Sequence, residues 1–250
     1  MSRTILITGA SSGLGEGMAR EFAARGYQLA LCARRTERLE ALRAELQRQI
    51  PAVRVSIRAL DVDNHEQVFE VFRAFQEEFG TLDRIIVNAG IGKGQALGTG
   101  NFEANRQTAE TNFVSALAQM EAAMAIFREQ NHGHLVTVSS VSAVRGMPSS
   151  ITTYAATKVG LAALSEGLRV ELAKAKSPIR VTTLYPGYIR TAINESVKNA
   201  PFRVDAETGC KAMVKAIESG KNECYVPRWP WTPIGFLLRR LPVSVLAKMF

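Results

Sequence analysis

Short runs of aliphatic residues alternate with longer amphipathic segments along almost the whole chain. The first run, Thr4–Thr8, reads Thr-Ile-Leu-Ile-Thr, and later runs are similarly rich in Ile, Val and Leu. Strands of this composition are buried on both faces, which is typical of a parallel sheet covered by helices. The alternation therefore predicts an α/β fold: a doubly wound parallel sheet of about seven strands with helices on both faces.

The predicted elements follow one another without a long linker, an internal repeat or a low-complexity segment. Because each strand is followed by a helix that crosses back over the sheet, we expect Rossmann-like connectivity. The predicted strands are Thr4–Thr8, Gln28–Ala33, Arg54–Leu60, Arg84–Asn88, His134–Ser139, Arg180–Tyr185 and Glu223–Val226. The predicted helices are Gly13–Arg25, Thr36–Gln49, Asn64–Phe79, Ala104–Gln130, Thr153–Lys174 and Ala206–Ser219.

A chain of 250 residues, 46% of them hydrophobic, can bury one large core. We expect residues 1–227 to form a single domain. Residues 228–250 change character and form an apolar, basic extension that lies on this domain or at an interface.

Cysteine and histidine positions predict no metal site and a reducing intracellular compartment. There is no apolar run of 18 residues and no room for a signal peptide before the first strand. The expected location is therefore cytoplasmic, and peripheral membrane contact through the C-terminal extension stays open. The scattered residues are Cys32, Cys210, Cys224, His65, His132 and His134.

The formal net charge is +8, and the sequence pI is near 9.7. Such a charge attracts anions, including phosphorylated cofactors and acidic membranes, but an ordinary basic enzyme carries it as well. No nucleic-acid-binding motif is present, and basic residues are spread along the chain rather than interleaved with aromatic ones. We therefore expect no nucleic-acid partner.

A glycine-rich turn joins the first predicted strand to the first predicted helix. Glycines allow a tight turn and close approach of the backbone to a pyrophosphate, and the helix N-terminus adds free N–H groups. This position favours nucleotide binding, although the spacing differs from the commonest dinucleotide fingerprint. The candidate cofactor-binding residues of the turn are Gly9, Ser11, Ser12, Gly13, Leu14 and Gly15.

Two arginines follow the second predicted strand, where NAD-binding proteins of this architecture carry an acidic residue for the ribose hydroxyls. Arg34 and Arg35 stand at this position, and Arg38 lies one helical turn further. Guanidinium groups pair with a 2′-phosphate through charge-assisted hydrogen bonds. The pattern favours NADP(H) over NAD(H) as the cofactor, and a solvated helix start around Glu37 is the alternative.

Two further strand ends carry residues suited to a bound cofactor. Asp61 and Val62 follow the third strand, where the carboxylate of Asp61 either accepts a hydrogen bond from an adenine amino group or caps the next helix. Asn88, Ala89 and Gly90 close the fourth strand; their small size permits close passage of a cofactor, and Asn88 can brace neighbouring backbone. Taken alone, this second motif is an ordinary turn.

A tyrosine and a lysine one helical turn apart indicate acid–base chemistry. Tyr154 and Lys158 lie at i and i+4 of a predicted helix and therefore share one face. A lysine cation beside a phenol lowers the tyrosine pKa, which would let the phenol exchange a proton near neutral pH. Ser140 ends the fifth strand fourteen residues before the tyrosine.

Taken in order, these motifs resemble the short-chain dehydrogenase/reductase family in its compact single-domain form. The resemblance covers roughly residues 3–227 and implies one dinucleotide-binding and catalytic domain. The implied reaction interconverts a carbonyl and an alcohol by hydride transfer at a nicotinamide. The motifs are Thr8-Gly-x-x-x-Gly-x-Gly15, Asp61, Asn88-Ala-Gly90, Asn112, Ser140, Tyr154-x-x-x-Lys158 and Pro186-Gly187.

The same resemblance implies a role for each residue. Tyr154 would donate or accept the substrate proton, and Ser140 would orient and polarise the substrate oxygen. Lys158 would hold the nicotinamide ribose and lower the tyrosine pKa, while Asn112 would hold a water in a proton relay to this lysine. The residues that would line the nicotinamide and its phosphate side are Pro186, Gly187, Ile189 and Thr191.

One spacing departs from the family pattern. The usual offset from serine to tyrosine is thirteen residues, and here it is fourteen, as if the segment Pro148–Tyr154 held one extra residue. We favour Ser140 because it ends the strand and because a loop absorbs an insertion more easily than a strand does. Ser139 and Ser142 remain alternatives.

Three segments are expected to wall a pocket for a small, apolar carbonyl or alcohol substrate: Ile91–Gly100, Val141–Thr153 and Tyr188–Val204. Four glycines make the first segment a candidate mobile loop. The candidate apolar side chains, each equally consistent with ordinary core packing, are Val144, Met147, Ile151, Tyr188 and Phe202.

The extension from Pro227 to Phe250 holds both tryptophans and is apolar and basic at once. It fits three arrangements: an interfacial membrane contact, a lid or subunit contact, and a C-terminal helix docked on its own domain. By resemblance, the helices 104–130 and 153–174 would pair between subunits, which implies a homodimer or homotetramer.

The leading hypothesis is an NADP(H)-dependent oxidoreductase acting on a carbonyl and a secondary alcohol. A membrane-peripheral lipid or steroid ketone reductase with the same chemistry is the first alternative. A non-catalytic nucleotide-sensing module is the second, and the intact set of Asn112, Ser140, Tyr154 and Lys158 argues against it.

Overall fold

The computed structural model describes residues 3–191 and 200–248. These residues form one parallel sheet of seven strands in the order β3-β2-β1-β4-β5-β6-β7, which confirms the predicted fold class. The strands are β1 Thr4–Thr8, β2 Gln28–Ala33, β3 Val55–Ala59, β4 Arg84–Val87, β5 His134–Val138, β6 Arg180–Pro186 and β7 Glu223–Val226. The helices are α1 Gly13–Ala23, α2 Thr36–Gln49, α3 His65–Phe79, α4 Phe102–Ala109, α5 Ser115–Gln130, α6 Thr152–Lys174, α7 Ala206–Glu218, α8 Arg228–Leu238 and α9 Val243–Leu246.

The central strand β1 shows why the strand sequences are aliphatic throughout. Ile5 and Ile7 face the layer formed by α1, α2 and α7, whereas Leu6 faces the layer formed by α3, α5 and α6. All three side chains are fully buried. Each contributes roughly 1.5–3 kcal/mol of transfer free energy, so both faces of the sheet stabilise the fold.

The position of the functional cleft follows from the strand order. β1 pairs with β2 on one side and with β4 on the other, both in parallel. The connections that leave the carboxyl ends of β1 and β4 therefore run to opposite faces of the sheet and open a crevice between them. Ligands of open α/β sheets bind in such a crevice.

The predicted helix Ala104–Gln130 is interrupted in the structure. α4 ends at Ala109, the residues Glu110–Val114 form a π-turn, and α5 then continues from Ser115. A π-turn adds one residue to the hydrogen-bond ladder of a helix, and it is frequent at functional sites. The other predicted strands and helices differ from the observed ones by at most two residues at either end.

The chain after β7 folds into α8 and α9, which pack against the connection after β5 and the start of α6. Leu238 and Leu246 are buried together with Val144, Met147 and Ala155, which belong to the connection after β5 and to α6. Within the described part of the chain, no helix combines the length and the apolar character needed to cross a membrane.

Candidate active site

A cleft of ≈ 350 Å³ lies at the carboxyl ends of the strands, beside the point where β1 and β4 diverge. All predicted cofactor-binding residues except Gly15 line it, and so does Ser140. Asn112 does not reach the cleft surface. The structure thus brings together residues that are up to 182 positions apart in the chain, from Gly9 to Thr191.

The glycine turn has no room for side chains at two positions. Gly9 has a φ of +65°, and a Cβ there would lie 2.9 Å from the Cα of Ala89. A Cβ on Gly15 would lie 2.5 Å from the carbonyl oxygen of Gly9. The two glycines therefore let the turn, α1 and the end of β4 approach closely, and Gly15 shapes the turn without lining the cleft.

The ends of β1 and β4 are joined by a network of hydrogen bonds around Thr8. The Thr8 hydroxyl accepts from the backbone N–H groups of Asn88 and Ala89 at 3.0 and 3.1 Å. The Asn88 side chain donates to the carbonyl oxygen of Thr8 at 2.8 Å. These contacts fix the two strand ends on which the cleft is built, and they give Asn88 the bracing position expected from its sequence.

The arginines after β2 form an exposed, positively charged wall of the cleft. Arg35 donates from Nη2 to the hydroxyls of Ser12 and Ser11 at 2.7 and 3.2 Å. Neither Arg34 nor Arg35 forms an ion pair with a carboxylate in residues 3–191 or 200–248. The two guanidinium groups and the serine hydroxyls therefore offer donors at one point of the cleft.

The carboxylate of Asp61 does not cap the next helix. Asn64 takes that position, because its side chain accepts from the N–H of Gln67 at 3.1 Å. Asp61 lines the cleft, and its carboxylate accepts from the backbone N–H of Asp63 at 3.3 Å. The cap expected as one alternative for Asp61 thus falls three residues later, where the loop after β3 turns into α3.

Two polar residues of the cleft escaped the motif search. Asp63 and Thr111 both line the cleft, and the Thr111 hydroxyl donates to the Asp63 carboxylate at 2.9 Å. Ser115 donates to the same carboxylate at 2.7 Å. Asp63 therefore ties the loop after β3 to the π-turn. The available signal was a second acidic residue two positions after Asp61.

Lys158 is buried at the catalytic end of the cleft, with a relative exposure of 5%. Its ammonium donates to the carbonyl oxygen of Val138 at 2.9 Å and lies 5.7 Å from the centre of the Tyr154 ring. Burial lowers the pKa of Lys158 to about 8, because desolvation disfavours the charged form.

Tyr154 differs from the expectation of a lowered pKa. Burial raises the pKa of this tyrosine, and a hydrogen bond with the Ser140 side chain opposes the shift. Lys158 does not offset the effect of burial, because its ammonium is directed to the carbonyl of Val138 rather than to the phenol oxygen. In this arrangement only Ser140 favours the phenolate.

The three candidate serines have different partners. The Ser139 hydroxyl is buried and donates to the carbonyl oxygen of Lys158 at 2.8 Å. Ser142 donates to the hydroxyl of Ser140 at 3.0 Å, and Ser142 does not line the cleft. Of the three hydroxyls, that of Ser140 is the one next to Tyr154. The connection to α6 includes a turn at Ser149–Ile151, which lies within the segment suspected of holding the extra residue.

Asn112 is fully buried in the π-turn. Its side chain accepts from the N–H of Ile91 at 2.8 Å and donates to the carbonyl oxygen of Ile91 at 2.9 Å. The carboxamide is thus occupied by backbone at both ends, so the side chain braces the residues that follow Gly90 at the end of β4.

The expected substrate walls are only partly open. In the segment Ile91–Gly100, Asn105 exchanges two hydrogen bonds with the backbone of Gln95, and Thr108 donates to the carbonyl oxygen of Lys93. The first half of this loop is therefore held in place, contrary to a fully mobile loop. In Tyr188–Val204, residues 192–199 lie outside the described residues.

The five candidate pocket side chains lie in three different environments. Val144 and Met147 are buried against the C-terminal helices, so they belong to the core. Ile151 and Phe202 are exposed by 38% and 56%. Tyr188 contacts the ring of Trp231, with 5.9 Å between ring centres.

Trp231 is a further residue that the motif search missed. It is 5% exposed, and a Cβ on Gly187 would lie 2.0 Å from its Nε1 atom. The indole thus supports the backbone of Gly187, which lines the cleft on its other side. A lone tryptophan in an extension gives no sequence signal for such a contact.

Comparison with known proteins agrees with this architecture. The family description "short chain dehydrogenase" matches residues 3–201. An uncharacterized oxidoreductase of Mycobacterium tuberculosis is 51% identical over 238 residues, which cover 95% of this chain and 93% of the relative.

Two solved structures share the fold. An alcohol dehydrogenase from the archaeon Thermococcus sibiricus, complexed with 5-hydroxy-NADP, has a TM-score of 0.79 at 28% identity and covers 90% of this chain and 96% of its own. A short chain dehydrogenase/reductase from Burkholderia phymatum in complex with NAD has a TM-score of 0.85 at 22% identity, with coverage of 99% and 95%. The chain therefore belongs to the short-chain dehydrogenase/reductase family and is an NAD(P)-dependent oxidoreductase.

Proposed function

We propose that the protein is an NADP(H)-dependent oxidoreductase that interconverts a carbonyl and a secondary alcohol, with Tyr154 as the proton donor or acceptor. The observation that carries this proposal is the cluster of Ser140, Tyr154 and Lys158 at one end of a single cleft. The other end of the same cleft is the glycine turn with its arginine wall.

The residues at the glycine turn fit a dinucleotide. The free N–H groups at the start of α1 suit a pyrophosphate, and the exclusion of side chains at Gly9 and Gly15 keeps the approach open. Arg34 and Arg35 suit a 2′-phosphate, whereas a carboxylate at this place would repel one. Because related structures hold either NADP or NAD, the preference for NADP(H) rests on the arginines.

Bound NADP(H) supplies or accepts the hydride at its nicotinamide ring. The hydroxyls of Ser140 and Tyr154 lie together and suit binding of one substrate oxygen. In reduction, Tyr154 donates its phenolic proton to the developing alkoxide, and in oxidation the phenolate accepts the proton of the alcohol. Lys158 supplies an ammonium donor for ribose hydroxyls, and the Ser139 hydroxyl holds the lysine backbone in place.

The proposed proton relay involves Asn112 through its backbone. Its side chain is occupied by Ile91, so a relay water would bind the carbonyl oxygen of Asn112. A π-turn changes the hydrogen-bond ladder at this point of the helix and so alters which carbonyls are available. In this proposal the main-chain carbonyl of Asn112 holds the relay water, and its side-chain carboxamide does not.

The substrate is proposed to be apolar. The exposed side chains of Ile151 and Phe202 lie in the segments expected to wall the substrate end, and both are hydrophobic.

We also expect a homodimer or homotetramer, because α5 and α6 expose Leu117, Val159 and Val170. Sedimentation velocity of the purified protein tests this assembly.

The proposed reaction is tested by NADPH oxidation with a panel of ketones. Tyr154→Phe is expected to lower kcat by about 10²–10⁴-fold, because the variant keeps the ring and loses the proton. Tyr27→Phe, which removes a hydroxyl that contacts Glu218 far from the cleft, is the control and keeps full activity. Equal rates in wild type and Tyr154→Phe would refute the catalytic role.

The cofactor preference has a separate test in binding. Arg34→Ala and Arg35→Ala are each expected to weaken the binding of NADPH by about 1.5–3 kcal/mol. The binding of NADH is expected to stay nearly unchanged. Arg48→Ala, at the exposed far end of α2, is the matched control. Equal losses of affinity for NADPH and NADH would contradict the assigned contact with the 2′-phosphate.

A further inference from the structure

The last long helix, α8, is apolar on both of its faces. Its inner face is buried through Trp231 and Leu238. Its outer face carries Phe236 and Leu237, which are exposed by 63% and 56%. An outer helix face in a globular protein normally carries polar side chains, so this face is unusual for a surface that meets only water.

Neighbouring residues extend the apolar face. Trp229, just before the helical turns of α8, is exposed by 77%, and Val243 at the start of α9 is exposed by 73%. We call these two residues, together with Phe236 and Leu237, the tail surface. Four large hydrophobic side chains exposed on a stretch of fifteen residues are more than the scattered single hydrophobics of an ordinary surface, and such clusters mark interaction sites.

The segment that carries the tail surface has only basic residues among its charged side chains. The segment from Cys224 to Phe250 contains no aspartate or glutamate and four basic residues. None of the four forms an ion pair within the part of the chain that the structure describes. The guanidinium of Arg240 lies 3.7 Å from the centre of the Phe236 ring, so charge and apolar surface are adjacent. The basic residues are Arg228, Arg239, Arg240 and Lys248.

We propose that the tail surface docks on an anionic lipid bilayer as a shallow interfacial contact. Aromatic and aliphatic side chains enter the boundary between head groups and acyl chains, and the flanking arginines pair with anionic head groups. The docking does not depend on the reaction proposed above.

Charge is the argument for a lipid occupant over a second copy of this chain. A two-fold interface places the same surface on both sides. It would bring basic residues against each other without an acidic partner, and like-charge juxtaposition is unfavourable. An anionic bilayer satisfies both the charge and the apolar groups.

The helix that carries the tail surface contacts the cleft lining through Trp231, which packs against Gly187. Arg145, which follows the turn after Ser140, donates to the carbonyl oxygens of Leu238 and Leu241 at the end of α8. The ring of Trp231 contacts that of Phe202, with 5.9 Å between centres. Docking through α8 therefore holds the substrate end of the molecule near the bilayer.

The test is co-sedimentation of the full-length protein with vesicles. Wild type is expected to bind vesicles of phosphatidylcholine with about 30% phosphatidylserine and not those of phosphatidylcholine alone. The variants F236S/L237S and R239Q/R240Q are each expected to reduce binding about tenfold or more. The control variant K174Q/K215Q also removes two positive charges, from the exposed ends of α6 and α7. It is expected to bind vesicles as wild type does.

A second readout uses wild type alone. Trp229 is exposed and Trp231 is buried, so quenching of fluorescence by brominated acyl chains reports contact of Trp229 with lipid. Absence of quenching together with absence of co-sedimentation would overturn the proposal. An equal loss of vesicle binding in K174Q/K215Q would also overturn the proposal. So would a change of oligomeric state in the tail variants if wild type does not bind vesicles.

Discussion

Adjacent serines at the end of β5 occupy different environments. Ser139 donates to the backbone of Lys158 inside the protein, and Ser140 meets Tyr154 at the cleft. Because the side chains of an extended segment alternate between its two sides, neighbouring residues of one type can have separate functions.

The serine assignment predicts opposite effects of two substitutions. Ser140→Ala is expected to lower kcat by about 100-fold and to leave the melting temperature nearly unchanged, since in the proposed reaction its hydroxyl binds the substrate oxygen. Ser139→Ala is expected to lower the free energy of unfolding by about 1–2 kcal/mol, because the buried bond from the Ser139 hydroxyl to the carbonyl of Lys158 is lost. Steady-state kinetics and urea unfolding measure the two effects, and the reverse pattern would assign catalysis to Ser139.

Burial of Lys158 predicts a pH-dependent stability. Its pKa is about 8 in the folded protein, against 10.5 for an ordinary lysine. Between these values the unfolded chain binds more protons, so this residue makes stability rise with pH in that window. Relative to Lys158→Met, wild type is expected to gain about 2 kcal/mol between about pH 7 and about pH 10. Urea unfolding of both proteins measures the difference, and a pH-independent difference would contradict the buried ammonium.

At the scale of elements, the sequence pattern predicted the sheet and the glycine turn but did not predict the π-turn. Strands and helices have local periodicities, so their order could be predicted. The π-turn contains Asn112, whose side chain bonds to Ile91, twenty-one residues away, and no local pattern encodes such a contact. For the same reason the residue-type pattern could not show that Asn64, rather than Asp61, caps α3.

The C-terminal helices show a second limit of pattern reasoning. α8 contains Pro233 and lacks a polar face, so it has no amphipathic signature. Its inner side is defined by tertiary packing, against the connection after β5, α6 and β7, and not by a local pattern. Helix propensity alone would not favour this segment.

The connection between Arg145 and α8 predicts a local change in dynamics. Arg145→Met keeps much of the apolar stem and removes the donors to the carbonyls of Leu238 and Leu241. We expect faster amide hydrogen exchange in residues 228–248, equivalent to about 1–3 kcal/mol of lost protection. Exchange in β1 and β4 should stay at the wild-type rate. Unchanged exchange in α8 would show that apolar packing alone holds the helix.

At the scale of the whole molecule, the cleft joins two cores into one cooperative unit. Its residues come from the ends of β1 to β6, which contact helices on both faces of the sheet. A ligand held across this edge stabilises the folded state as a whole, by roughly 2.7 kcal/mol at a concentration about 100 times its Kd.

Cofactor selection therefore predicts a difference in thermal stability. NADPH is expected to raise the Tm by several degrees more than NADH at the same concentration, because only NADPH presents a 2′-phosphate to Arg34 and Arg35. Differential scanning fluorimetry measures both shifts. In a protein with Arg34→Ala and Arg35→Ala the two shifts should become equal, and a larger shift with NADH in wild type would reverse the preference.

The most direct measurement of the central claim follows deuterium from NADPH that is deuterated at both C4 positions into the product of a ketone substrate. We expect the alcohol carbon to carry the deuterium in wild type. We also expect Tyr154→Phe to bind NADPH normally while its rate of label transfer falls by about 10²–10⁴-fold. A product without deuterium, or an undiminished rate in Tyr154→Phe, would contradict carbonyl reduction with Tyr154 as the proton donor.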